Sequence, residues 1–173
     1  MPLILLKLCL KSLKYVKDTK FEFFSKIENF AFLDWCNIDK GDERGILTED
    51  EINAVTRISI GHLYNVVDLK GIEVFQNLKY LSVYDDVLER IDISKNTKLE
   101  VLDLYGTKVE SIDLRNCPNL EELSVWKTPM RKLDISANPM LRDLNVCLTG
   151  ITTINIIHNP ILQYVYNNYG KVP

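Results

Sequence analysis

The sequence predicts a single solenoid, a right-handed superhelix of the β-α type. Each coil lays one short parallel strand on a concave face and returns along a mostly irregular convex side, and helices cap the N-terminal end. Three observations predict it. Leucines fall at Leu78, Leu99, Leu120, Leu141 and Leu162, each 21 residues after the last, with no slip in register. Each complete unit carries the apolar pattern LxxLxL, as in Leu99, Leu102 and Leu104, followed by a second apolar trio such as Val109, Ile112 and Leu114. The stretch before the first unit lacks this period and carries helix-start signals instead.

Cut at that period, the chain reads as four full units beginning at Leu78, Leu99, Leu120 and Leu141, with a partial unit from Leu162. In each strand the fourth and sixth places point into the core and their neighbours point out, because side chains alternate across a pleated backbone. A single coil cannot bury its own apolar side. Stacking coils does bury it, so the units stand or fall with their neighbours.

The turns are read from columns. Pro118, Pro139 and Pro160 share one place, and Asn96, Cys117, Asn138 and Asn159 precede them in the next. Proline has no backbone donor and asparagine can bond to a neighbouring coil's backbone, so both suit a sharp turn. Asp92, Asp113, Asp134 and Asn155 form a further column beside Asp86, Thr107, Thr128 and Thr149. Repetition at every coil marks these as turn and ladder residues, not catalytic carboxylates.

Ahead of the repeats, Lys7, Lys11 and Lys14 fall on one helical stripe among leucines, giving a first helix buried on most of its surface. The lysines interrupt the apolar run and no small-residue cleavage site follows, so the segment makes a poor signal peptide and cannot span a membrane. Thr19 with Glu22, and Thr48 with Glu51, have capping-box spacing before apolar residues at helical intervals. Between them, Asp42, Gly45, Leu47 and Glu51 match the third, sixth, eighth and twelfth places of a calcium loop. Lys40 and Arg44 occupy the first and fifth places, where two cations repel Ca²⁺, so this is a degenerate EF-hand-like loop that holds no metal. The expected division is a helical cap over residues 1–54 and the solenoid over 55–173.

The repeat units, the segment at residues 67–81 and the turn sequence LDISANP resemble bacterial leucine-rich-repeat proteins of the gut-bacterial and internalin-like kinds. The resemblance covers about residues 36–173 and implies a leucine-rich-repeat solenoid that binds a protein partner, with a cell-surface or extracellular location. It departs after the strand, where the family places Asn and this chain has Asp86, Thr107, Thr128 and Thr149; turn hydrogen bonding there is expected to be weaker.

Composition narrows the functional classes. A formal charge of −3 and a pI near 5.5 do not supply the basic face that nucleic acid requires. Cys9, Cys36, Cys117 and Cys147 have no paired spacing for a zinc site and do not form the dense framework of a small disulfide-bonded domain. With His62 and His158 far apart in the coil register, no nucleophile has a matching base, and neither an enzyme nor a cofactor is expected. The outward places of each strand define the candidate binding residues: Tyr80, Glu122, Asp143 and Tyr164 in one column, Asp103 and Tyr166 in the next, and Tyr84, Tyr105 and Trp126 in a third. Adjacent coils lie about 4.8 Å apart, so that third column stacks as an aromatic ladder on a face that solubility alone would make polar. A protein partner is expected, with a carbohydrate, self-association or a purely structural spacer as the alternatives.

Overall fold

A computed structural model describes residues 49–61, 67–84, 87–168 and 170–172. The helices expected at residues 1–35 and most of the calcium-like loop lie outside them. Of the expected cap, helix α1 (Glu49–Ala54) is present where the second capping signal placed it. Its Ile52 packs against the core and Val55 follows it inward.

Among the described residues seven strands form one sheet in chain order: β1 (Arg57–Gly61), β2 (Tyr80–Tyr84), β3 (Val101–Asp103), β4 (Glu122–Ser124), β5 (Asp143–Asn145), β6 (Tyr164–Asn167) and β7 (Gly170–Val172). β1 to β6 pair in parallel, each with the next. From β2 to β6 the partners are 21 residues apart, as in Leu81, Leu102, Leu123, Leu144 and Val165, so the sequence period is one full coil.

Two strands lie beyond the regular period. Arg57 pairs with Tyr80, an offset of 23, so the lead-in coil is two residues longer, and it holds a 3₁₀ turn (Ile72–Val74). At the other end β7 folds back antiparallel on β6, so the partial last unit ends as a hairpin.

The core is a set of stacked columns. Leu78, Leu99, Leu120 and Leu141 are fully buried, as are Leu81, Leu102 and Leu144, with Leu123 nearly so. Val83, Leu104, Val125 and Val146 form the second inward place, and Leu88, Val109 and Met130 the return. A Leu side chain wholly removed from water contributes about 2 kcal/mol, which makes these columns the main source of stability. The columns run out at the last coil. Ile93, Leu114 and Ile135 are at most 2% exposed, but Ile156, in the same column, is 53% exposed because no further coil stacks on it among the described residues.

Polar ladders tie coil to coil. The side-chain amide of Asn96 donates to the carbonyls of Ile72 (2.9 Å) and Phe75 (3.0 Å) in the preceding coil. Asn138 does the same to Leu114 (3.1 Å) and Cys117 (2.8 Å), and Asn159 to Ile135 (3.0 Å) and Asn138 (2.8 Å). At the remaining rung the Cys117 thiol reaches Asn96 O at 3.8 Å. Burial, with the Asp113 charge nearby, pushes that thiol up to about 11.

Asp92, Asp113, Asp134 and Asn155 each accept, through Oδ1, the backbone N–H two residues on, at 2.9 to 3.0 Å. They are turn residues, as their repetition implied. These bonds favour the ionised form: bonding from Ser94 lowers Asp92, bonding from Ser136 lowers Asp134, and the Arg115 guanidinium with its backbone N–H holds Asp113 at about 2. Thr107, Thr128 and Thr149 donate to the carbonyl three residues back at 3.0, 2.8 and 2.7 Å, so these three coils each hold a side-chain bond within the turn.

Candidate functional site

Registry of the strands sets three outward columns across the sheet. The first runs Arg57, Tyr80, Val101, Glu122, Asp143, Tyr164 and the second Ser59, Ser82, Asp103, Ser124, Asn145, Tyr166. The third, at the C-terminal ends of the strands, holds Tyr84, Tyr105, Trp126 and Cys147.

In that third column the rings touch. Tyr84 and Tyr105 lie with centroids 4.6 Å apart and planes 5° from parallel, and Trp126 follows at 4.6 Å, tilted by 47°. Tyr84 and Trp126 are exposed and Tyr105 half-buried between them. Backbone bonds carry the strand direction one step past the ladder place: Leu104 N–H donates to Ser124 O and Gly106 N–H to Trp126 O, both at 2.9 Å. Val125 N–H to Asn145 O and Lys127 N–H to Cys147 O repeat the pattern one coil on. The spacing of the rings is therefore the spacing of the coils.

The residue after each ladder position turns the chain sharply. Gly106, Lys127 and Leu148 share one column and all adopt the left-handed backbone region, with φ of 71°, 58° and 55°. Glycine meets this geometry without penalty, whereas a side chain costs on the order of 1 kcal/mol. Asp103 and Asn145 support the same bend, their Oδ1 atoms accepting the N–H of Tyr105 (3.2 Å) and of Cys147 (3.1 Å).

The remaining candidates share the face without joining the ladder. Tyr80 lies under the Arg57 guanidinium, 3.2 Å from its ring centroid. Tyr164 and Tyr166 stand on β6 next to Asp143 and Asn145, separated from Trp126 by the Cys147 coil. The Cys147 thiol donates to Asn167 O at 3.0 Å. Glu122 and Asp143 are directly opposed partners. A shallow groove of about 440 Å³ crosses these strands, lined in part by Tyr80, Val101, Asp103, Glu122, Asp143 and Tyr166.

Arg57 was absent from the sequence-derived site. Its signal, the alternation of Ile58 and Ile60 ahead of the repeats, was hidden by the 23-residue offset. Lys127, with its ammonium 6.0 Å from the Tyr105 ring centroid, was also absent.

No protein-family model and no curated protein matches this sequence. Among solved structures, the functional domain of InlJ from Listeria monocytogenes, described as including a cysteine ladder, is similar with a TM-score of 0.64 and 23% identity. That match covers 87% of this chain and 33% of the other. The internalin InlF from Listeria monocytogenes matches with a TM-score of 0.53 and 21% identity, over 85% of this chain and 50% of its own. This chain thus spans a third to a half of the length of those structures. The likeness is one of fold: the chain is a leucine-rich-repeat solenoid. Among the described residues no helix is long and apolar enough to cross a membrane.

Proposed function

We propose that this leucine-rich-repeat solenoid is an interaction module. Its sheet face, concave in the intact solenoid formed by residues 55–173, docks a protein partner, with residues 1–54 as a cap on the far end. The observation that carries the reading is the Tyr84–Tyr105–Trp126 ladder, three aromatic rings in contact with one another on the outward side of the sheet. Aromatics offer large apolar area with few rotors to freeze, which is why they concentrate binding energy at interfaces. Tyr80, Asp103, Glu122, Asp143, Tyr164 and Tyr166 surround the ladder as its polar and aromatic rim.

The ladder favours a polypeptide over a sugar. Tyr84 and Tyr105 turn their flat faces on each other, so between those two rings an incoming group meets edges rather than a face to stack on. Among the described residues the face is a shallow groove that gathers no nucleophile with a base, as suits recognition rather than turnover. By the resemblance to internalins, the location is the cell surface or the exterior.

The test is affinity capture with the full chain as bait, beside Trp126→Ala and Tyr105→Ala forms whose circular dichroism matches the parent. A protein retained by the parent and lost by both variants supports the reading. Equal retention by all three forms would leave the ladder as cross-strand packing in a spacer domain.

A further inference from the structure

We infer that the docking face selects a cationic polypeptide segment, one carrying lysine or arginine on alternate residues, laid across β3 to β5. The inference rests on the reading of this face as the docking surface and adds the chemistry of what docks.

The argument begins with how the fold handles charge in two neighbouring columns. One residue before the strands' first outward place the column runs Lys79, Glu100, Glu121, Arg142, and each acid pairs with the cation on its outer side: Lys79 with Glu100 at 2.7 Å, and Arg142 with Glu121 at 3.9 Å. In the next column Glu122 and Asp143 are direct partners across β4 and β5 and carry the same sign. Like charges directly opposed on a sheet destabilise it. Among the described residues no ion pair reaches either of them, or Asp103 one coil earlier. The sheet thus bears an uncompensated repulsion at the centre of its outward face, which a bound cation would relieve.

The cations of this face whose side chains are described stand to the side of that centre. Arg57 is laid on Tyr80, and Lys127 sits beyond the strand end beside Tyr105. Between them the groove of about 440 Å³ brings the three carboxylates together with aromatic and aliphatic walls, including Tyr80, Val101 and Tyr166. Carboxylates beside apolar walls suit lysine and arginine, whose methylene stems lie on apolar surface while the charged head reaches an acid.

Spacing fixes the form of the segment. Asp103 to Asp143 spans two coil steps, about 10 Å, and two residues along the strand, about 7 Å, so roughly 12 Å in all, and an extended chain presents same-side residues about 7 Å apart. Two cationic residues separated by one other residue therefore reach the row together.

The experiment uses the full chain and a labelled nine-residue peptide in which lysine alternates with threonine, read by fluorescence anisotropy. The lysine peptide is expected to bind saturably and a glutamate-for-lysine peptide not to bind. Affinity should fall about tenfold in the double variant Glu122→Gln/Asp143→Asn, which removes two close charge contacts without changing side-chain shape. A charge-matched control, Glu89→Gln/Glu110→Gln on the exposed return limbs, should stay within about twofold of the parent, since screening leaves little reach across the coil. Three results would overturn the inference: no saturable binding of the lysine peptide, undiminished binding by the Glu122/Asp143 variant, or equal weakening by the control. If any of these occurs while Trp126→Ala still releases the captured partner, charge selection is wrong and the docking face stands.

Discussion

Asn138 offers a measurement of what holds one coil to the next. Its amide donates to Leu114 O and Cys117 O, at 3.1 and 2.8 Å. Both carbonyls also accept backbone bonds, from Cys117 N–H at 3.0 Å and Leu120 N–H at 3.2 Å, so truncation to alanine orphans neither. The loss is two net hydrogen bonds of about 1 kcal/mol each. Vacating a fully buried place adds about 1 kcal/mol for the void. Against this stands Oδ1 of Asn138, which is buried without a partner among the described residues and whose removal recovers about 1 kcal/mol. Asn138→Ala should therefore cost about 2 kcal/mol, a fall in midpoint temperature of roughly 4 to 8 °C for a chain of this size. Asn138→Asp keeps the shape but aims oxygen at two carbonyls, and should cost well over 3 kcal/mol. Thermal and urea unfolding followed by circular dichroism measure both. An alanine form within about 0.5 kcal/mol of the parent, or an aspartate form no worse than alanine, would refute the account of the ladder. By the same reasoning Cys117→Asn, which adds two bonds and strands one more oxygen, should gain no more than about 1 kcal/mol, less what the buried thiol already contributes, which explains how a cysteine is tolerated at that rung.

Three further outcomes follow from the same columns. Leu148→Gly should raise stability by up to about 1 kcal/mol and Gly106→Ala lower it by about 1 kcal/mol, because the shared turn demands a left-handed backbone; opposite signs in urea melts are the check. Since folding depresses the Asp92, Asp113 and Asp134 pKa values, their contribution is fully present above the ordinary carboxylate value and is lost as pH falls through the lowered values, about 2 for Asp113; the triple Asp→Asn form keeps the Oδ1 acceptors and should flatten the acid limb of midpoint temperature against pH, whereas an unchanged limb would place the acid sensitivity elsewhere. With its thiol held at about 11, Cys117 should remain unlabelled by a thiol reagent at pH 8 until the chain unfolds, and peptide mapping that finds it modified in the native state would contradict its burial.

How much of this was legible beforehand depended on whether a feature repeats. Leu78, Leu99, Leu120 and Leu141 announced the coil, its register and its inward columns, and the outward placement of Tyr84, Tyr105 and Trp126 followed by counting. β1 escaped because its offset of 23 breaks the count, although Ile58 and Ile60 alternate as a strand should. β7 escaped because a hairpin uses no coil period at all. The left-handed column was signalled by Gly106 alone, since Lys127 and Leu148 are residue types that ordinarily avoid that geometry. The Glu122–Asp143 opposition was present in the columns, but its meaning needed the neighbouring salt bridges, which depend on side-chain placement.

The uncovered column at Ile156 has a mechanical consequence. A coil held from one side opens at lower free energy than one held from both, so in this 173-residue chain taken by itself amide exchange should quicken stepwise from Leu141 toward Asn167, damped where the hairpin seals the edge of β6. The Tyr84–Trp126 ladder sits in the stiff middle of that gradient and Tyr164 with Tyr166 at its yielding end. A ligand gripping the first would find a rigid anvil, while the second could bend to meet it.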